Sequence, residues 1–410
     1  MERFANYKYH GKNINNLGDH AQIMTVDYLY SLMGVPQEDI VYIDIDELGT
    51  YDGPDVKLPV SMPLINHCEH GIAGMFSKKI TPVFLGLTTP RDSLAPEEVE
   101  YLKRYEPIGC RDEKAFILMK QYGIDAYLGG CLTVTLPKRQ QNPRKQKKVF
   151  IVDPPKDLQK YIPQSIINEA IWDTHIYYGN LEDPMQKAKE QYRKYFDEAR
   201  LVITGLLHAA IPCMAYGIPV VLAREYLSYR FAWVEALLPI YTKENYKDIN
   251  WNPTPIRLEE HKELIKSLFH KRMCGDEAVD EINRVHEFYM SRKKHIYIND
   301  VFVTIQEFIE KTWTQPDGKY EYAVWGLTQI AELTVDYISS RYPNARLTHV
   351  YDKKSGLKFR GISAILPENI EKNPNETVFV TTVSASESAE QYFTQIKKPR
   401  HLFNVLKIIR

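Results

Sequence analysis

Three short polar stretches of this sequence carry side chains able to do chemistry. The first, Asn15 to Gln22 (NNLGDHAQ), runs directly into an apolar helical pattern at Ile23, Met24, Leu29 and Leu32. A glycine followed by a capping side chain turns the chain sharply and presents backbone N–H groups at a helix start. Such a place either begins a helix or holds an anion. The second stretch, IGCRDEKAF, sets the Arg111 guanidinium just before a helix whose N-cap is Asp112. A carboxylate or phosphate would bind that guanidinium through two parallel hydrogen bonds. The third, VITGLLHAAIP, places His208 near a helix start, and histidine exchanges a proton near neutral pH. Arg230, in AREYLSYRFAWVEALLPIYT, is a further candidate cation. Taken singly, Asp19 and Asp112 are explained as helix caps.

Other polar clusters fail on spacing. His67, Cys68 and His70 (HCEH) crowd three potential ligands into four residues with no second cluster, which does not match a tetrahedral zinc site. Ser384, Ser386 and Ser388 lack the strand-to-helix elbow of a nucleophilic serine. The five cysteines are odd in number and contain no CxxC pair, so they read as buried thiols.

The elements that would position these groups alternate between strand and helix. Strands are expected at Ile40–Ile45, Pro82–Leu87 and Pro107–Cys110, with helices at about 19–33, 96–105 and 112–122. These form an N-terminal α/β lobe over 1–140. The basic segment KRQQNPRKQKK (138–148) reads as a linker to a second lobe over 148–313. There a strand at Leu201–Thr204, a helix at Leu207–Tyr216 and a strand at Pro219–Ala223 make a compact βαβ, followed by helical patterns at 259–270 and 276–310. After TQPDGK (314–319) the pattern restarts as a small Rossmann-like module over 320–410. Its turn, WGLTQI, lacks the second and third glycines that let backbone meet a pyrophosphate, so no dinucleotide is expected despite Asp352 at the right spacing.

Composition bounds the function. Of 410 residues, 44% are hydrophobic and 26% charged, and the net charge of −1 supplies no field for nucleic acid or an anionic membrane. The N-terminal stretch MERFANYKYHG is polar, without the apolar core of a signal peptide, and no apolar run is long enough to span a bilayer. A cytoplasmic enzyme of small ligands is the expectation, and a homo-oligomer is left open.

In order along the chain, N-L-G-D, then R-D with a helix ending in G-I, then G-G-C-L-T-V-T-L-P, then V-I-T-x-x-L-H-A-x-I…G-I-P-V-V resemble the polysaccharide pyruvyl transferase family over roughly residues 1–310. The resemblance implies two Rossmann-like lobes in a glycosyltransferase-B-like arrangement. It implies transfer of pyruvate from phosphoenolpyruvate to hydroxyls of a sugar in a glycan or lipid-linked precursor, as in exopolysaccharide biosynthesis. It casts His208 as general acid, Arg111 as anion clamp, Asp19 as base or acceptor-orienting group, and Asn16, Gly18 and Leu207 as substrate-facing. Arg230 as a second clamp is inferred from the sequence instead. No metal or cofactor is required by that scheme. The arginine that the family commonly carries before its Leu-His pair is Leu206 here, so Arg111, Arg224 or Arg230 would have to replace it. The alternatives are a nucleotide-sugar glycosyltransferase of the same architecture and a catalytically silent scaffold of a glycan-synthesis complex.

Overall fold

The computed structural model describes residues 3–9, 14–62, 72–89, 94–179, 181–225, 229–292, 298–353, 355–372, 376–381 and 402–403. The chain divides into two units, Met1–Lys294 and His295–Arg410.

The first unit contains two parallel sheets. In one, the spatial order is Ile40–Asp44, Arg3–Lys8, Val56–Val60, Ile80–Phe84, and a parallel bridge between Leu87 and Cys110 carries it on to Ile108–Cys110 and Ala126–Leu128. In the other the order is Ile240–Tyr241, Val220–Ala223, Ala199–Thr204, Lys148–Val152, Ala170–Asp173. Each sheet has an interior strand from which the chain first pairs on one side and then crosses to the other: Arg3–Lys8 in the first, Lys148–Val152 in the second. Ligands of open α/β sheets sit beyond the carboxyl ends of strands at such reversals.

The polar start of the sequence is thus an inner strand of the first sheet. Ala5, Asn6 and Tyr7 are buried there, and Asn6 is satisfied by donating to the Ile23 carbonyl (3.0 Å) and to Asp27 Oδ1 (2.7 Å). A buried carboxamide with both partners in place costs little, which is why a polar string can occupy this position.

Helix Leu17–Leu32 joins the two lobes. Ile23 packs with the first sheet, Leu17 and Ala21 with Phe150 and Tyr192 of the second lobe, and Leu29 and Tyr30 with Trp233 and Phe269. After Asp19, only the stripe Met24, Asp27, Tyr28, Ser31 and Leu32 is left partly exposed, so the helix is apolar around most of its circumference. The preceding strand, Ile14–Asn16, pairs antiparallel with Ile176–Tyr178, and Leu17 N–H donates to the His175 carbonyl (2.9 Å). Helices Glu259–Cys274 and Val279–Ser291 return to the first lobe. Lys57 Nζ donates to the Met273 carbonyl (3.1 Å), Arg272 to the Pro107 carbonyl (3.0 Å), and Leu128 N–H to His286 Nδ1 (3.0 Å). Two parallel-sheet lobes with late helices crossing back make a glycosyltransferase-B-like α/β arrangement.

In the second unit, strands Arg346–Tyr351, Glu321–Trp325, Thr377–Val380 and Leu402–Phe403 form a parallel sheet in that order. Helix Ile298–Thr312 belongs here: Ile305, Ile309 and Trp313 share a core with Tyr322, Val324 and Phe379, and Trp313 stacks on Tyr320 at 4.4 Å. The sequence reading had placed this segment in the second lobe, because helical periodicity runs through 276–310 and does not say which core a helix joins. Asp352 accepts a hydrogen bond from Leu327 N–H (3.0 Å). The carboxylate that a dinucleotide's ribose would need is therefore held by the turn itself.

Among the described residues no helix is long and apolar enough to cross a membrane, and no group of three His, Cys, Asp or Glu is placed to hold a metal. HCEH and the serines at 384, 386 and 388 lie outside the described residues. Cys110, Cys131 and Cys213 are buried free thiols, but Cys274 is exposed at the end of its helix, contrary to the expectation for it.

The docking of the first helix rests on Gly18, where a Cβ would lie 2.6 Å from His208 Cβ and 2.9 Å from its Nδ1. Gly18→Ala is expected to cost about 1–3 kcal/mol, as over-packing of a close contact does. A lower midpoint in thermal unfolding checks this; an unchanged midpoint would show the contact to be loose.

Candidate functional site

The site is built from the starts of two helices, one in each lobe. From the first comes Asn16, the N-cap of helix Leu17–Leu32, whose Oδ1 accepts from Gly18 N–H (3.0 Å). Gly18 then lies against His208, and Asp19 occupies the first turn. From the second comes Leu206, N-cap of helix Leu207–Ala215, whose N–H donates to Thr204 Oγ1 (3.0 Å), with His208 one residue into the helix. Leu207 points away into the apolar core that both lobes share. It contributes packing, so the expectation that it faces substrate is corrected.

Arg111 reaches the same place from the strand Ile108–Cys110. Its side chain is only 1% exposed; Nη1 donates to Gln22 Oε1 (3.1 Å), and Nη2 is buried without a partner among the described residues. An unmet guanidinium N–H in the interior is costly, so it marks a position where an anion is wanted. Asp112 beside it is the cap of helix Glu113–Gln121, accepting from Ala115 N–H (3.1 Å) and from Thr88 Oγ1. Arg230, exposed on the 3-10 helix Tyr229–Ala236, stands close enough that its charge is felt at Asp19, Asp112 and His208.

Electrostatics set the protonation states. Burial pushes the Asp19 carboxyl up to about 6, against the opposing pull of Arg111 and Arg230. Burial also holds the His208 imidazole well below its ordinary value, and Arg111, Arg230 and His175 push the same way. These residues therefore present a neutral histidine, two guanidiniums and a carboxyl group that titrates near neutral pH.

Residues that sequence reasoning missed complete the surroundings. His208 Nε2 lies 3.8 Å from Cys131 Sγ, which accepts from Thr133 Oγ1 (3.2 Å). Cys131 had been read only as a buried thiol, although it sits inside the GGCLTVTLP motif. Tyr192 OH donates to the His208 carbonyl (2.6 Å) and fixes the start of its helix. Buried His175 stacks on Tyr195 and hydrogen-bonds its hydroxyl (3.2 Å); nothing in WDTHIYYG distinguishes it as a neighbour of His208. Gln22, which orients Arg111, lay within the opening motif and went unassigned.

At the departure from the family pattern, Leu206 is partly buried against the second-lobe core. Arg224 fills the space nearby: its Nη1 donates to the Gly205 carbonyl and its guanidinium lies over the Phe231 ring at 4.3 Å. A guanidinium thus stands beside residue 206, carried by a different strand.

No curated protein matches this sequence. Among solved structures, the co-structure of S. aureus MnaA with UDP aligns with TM-score 0.32 and 11% identity over 72% of this chain and 100% of that one. A UDP-N-acetylglucosamine 2-epimerase aligns with TM-score 0.33 and 11% identity over 72% and 99%. Likenesses so slight carry no functional argument. The sequence model of the polysaccharide pyruvyl transferases matches residues 16–224, which begins at the Asn16 cap, ends at Arg224 and takes in more than half of the chain. It encloses Asp19, Arg111 and His208, and the chain belongs to the polysaccharide pyruvyl transferase family.

Proposed function

We propose that the protein transfers the pyruvyl skeleton of phosphoenolpyruvate to two hydroxyls of a sugar, in a glycan or lipid-linked precursor, with release of phosphate. The observation that carries this reading is the buried, half-satisfied Arg111 beside His208 and Asp19. A compact, highly charged donor fits a guanidinium with a spare N–H, a second cation at Arg230 and the ionisable groups Asp19 and His208.

In this reading the donor's charge offsets the two guanidiniums and lets the imidazole of His208 take up a proton. His208 delivers it to the methylene carbon, which becomes the methyl group. The carbon bearing the phosphate is then attacked by one sugar hydroxyl, the carbon–oxygen bond to phosphate breaks, and the second hydroxyl closes the ketal. Of the two hydroxyl protons, one replaces the proton given to carbon and the other leaves on phosphate. Asp19, with a raised pKa, accepts and passes on the hydroxyl proton. Arg224 supplies the cation that position 206 lacks.

Three outcomes test this. His208→Gln should lower phosphate release in the presence of a sugar acceptor by about 10²–10⁴ while phosphoenolpyruvate still binds. A wild type that binds a nucleotide sugar and never turns over phosphoenolpyruvate would overturn the reading. Arg224→Leu should weaken phosphoenolpyruvate binding at least tenfold, and adding Leu206→Arg to it should restore much of the loss; failure of the second change to help would separate Arg224 from the donor.

The third outcome is a pH profile. With Asp19 raised to about 6 from 3.8, the folded protein holds a proton there that the unfolded chain has released. Its contribution to stability is present at low pH and lost as pH rises through about 6. The same protonation removes a negative charge from the site. Affinity for sulfate, whose charge does not change in this range, should rise as pH falls from about 7 to about 5. Asp19→Asn should flatten that rise, as calorimetric titration would show.

A further inference from the structure

The motif GGCLTVTLP at 129–137 carries a thiol that the proposed chemistry leaves unused. At Gly130 φ is +67° and a Cβ would come 2.5 Å from the Tyr289 hydroxyl oxygen, so only glycine accepts both the dihedral and the contact. The chain can therefore turn sharply after strand Ala126–Leu128 and bring Cys131 to the start of helix Leu207–Ala215. Cys131 is 1% exposed, and its Sγ lies 3.8 Å from His208 Nε2, within reach of a hydrogen bond to sulfur. Fully buried Thr133, in the 3-10 helix Leu132–Thr135, donates its hydroxyl to the same sulfur (3.2 Å).

An imidazole has two nitrogens, and the hydrogen bond that one makes decides which of them carries the proton. The neutral ring, favoured here by burial and by the charges of Arg111, Arg230 and His175, has one N–H and one lone pair. A thiol is a weak donor and an imidazole N–H a good one, so the contact forms with Nε2–H directed at sulfur. The lone pair is then on Nδ1. That nitrogen faces the start of helix Leu17–Leu32, where a Cβ on Gly18 would come 2.9 Å from it, one residue from Asp19. The backbone of His208 is held as well, because Tyr192 OH donates to its carbonyl (2.6 Å). Fixed at its carbonyl and at Nε2, the ring keeps one orientation.

We propose that Cys131 is a positioning residue for His208: its sulfur, oriented by Thr133, holds Nε2–H so that Nδ1 is the nitrogen that takes up a proton and passes it on. The proposal deepens the pyruvyl-transfer reading and rests on it for the proton's destination, the methylene carbon of phosphoenolpyruvate. In that step the carbon–carbon double bond supplies the electron pair and the Nδ1–H bond breaks. The ring is left neutral, with Nε2–H still on sulfur. A ring free to turn would present either nitrogen, and a proton on the wrong one does not reach the carbon. The thiol itself stays unreacted.

Nitrogen NMR spectra of the full chain carrying isotope-labelled histidine report which ring nitrogen bears a proton, and the signals lost in His208→Gln assign those of His208. The wild type is expected to show Nε2 protonated and Nδ1 bare. Saturating sulfate or phosphoenolpyruvate should protonate Nδ1 and leave Nε2 as it was. Cys131→Ala should average the two tautomers and slow phosphate release from phosphoenolpyruvate about tenfold or more, with KM changed by less than about twofold. Cys131→Ser should return the wild-type tautomer and most of the rate; serine and alanine are close in size, so packing alone does not separate them. A protonated Nδ1 in the ligand-free wild type, a tautomer unchanged in Cys131→Ala, or alanine and serine variants that behave alike would overturn the proposal. A wild type whose bare Nδ1 is protonated with sulfate, yet which never turns over phosphoenolpyruvate, would remove the donor assignment and leave His208 positioned as stated.

Discussion

The contact on which the site depends is the approach of a backbone to a side chain: Gly18 of the first lobe against His208 of the second. Gly18 lies in the first turn of helix Leu17–Leu32 and His208 in the first turn of helix Leu207–Ala215, so two helix N-termini are brought face to face. Asn16 holds the turn by capping its own helix, the Ile14–Asn16 strand ties it to Ile176–Tyr178, and Tyr192 fixes the opposite helix through the His208 carbonyl. A glycine precedes Asp19 because any larger residue would push helix Leu17–Leu32 away from His208.

That geometry has an electrostatic consequence. Burying a guanidinium and a carboxyl group together is tolerable only when each is nearly satisfied, and Arg111 is satisfied at Nη1 but not at Nη2. Desolvation drives Asp19 and His208 toward their neutral forms beside the Arg111 and Arg230 guanidiniums, so positive charge is in excess there in low-dielectric surroundings. An anion gains more in such a place than at the surface, and its charge would shift both titrating groups toward holding protons.

The sequence marked the candidate residues more plainly than the residues packed around them. Asp19, Arg111 and His208 announce themselves because capping and bidentate chemistry occur within a few neighbouring residues. His175, Cys131 and Gln22 act through contacts between distant segments, which no local pattern encodes. Among elements, the βαβ around His208 was legible because apolar runs and a terminating glycine coincide. Strand Arg3–Lys8 was not, since its buried Asn6 relies on Asp27 twenty-one residues on, and a satisfied polar residue reads as surface. Helix Pro184–Glu198 went unread although Asp183 caps it by accepting from Gln186 N–H (2.9 Å); its charged face outweighs its buried Tyr192 and Tyr195. The helix at Ile298–Thr312 was seen but joined to the wrong core, because periodicity gives a face and not its partner.

The outline of strand, tight turn and helix occurs both after Thr204 and after Trp325, and it does not mean the same thing each time. In the second unit the turn is closed on itself: Asp352 takes Leu327 N–H, and Thr328 caps its helix at Ala331 while its hydroxyl donates to the Thr381 carbonyl at 2.7 Å. Its polar groups are already paired, so a ligand there would have to break contacts before making its own. In the first unit the turns meet an arginine whose second nitrogen is unpaired and a histidine kept neutral by burial. What distinguishes a binding turn from a structural one is therefore which polar atoms the fold leaves unsatisfied after it has closed. By that criterion the turns at Gly18 and His208 are the candidates in this chain, and the family match covers both.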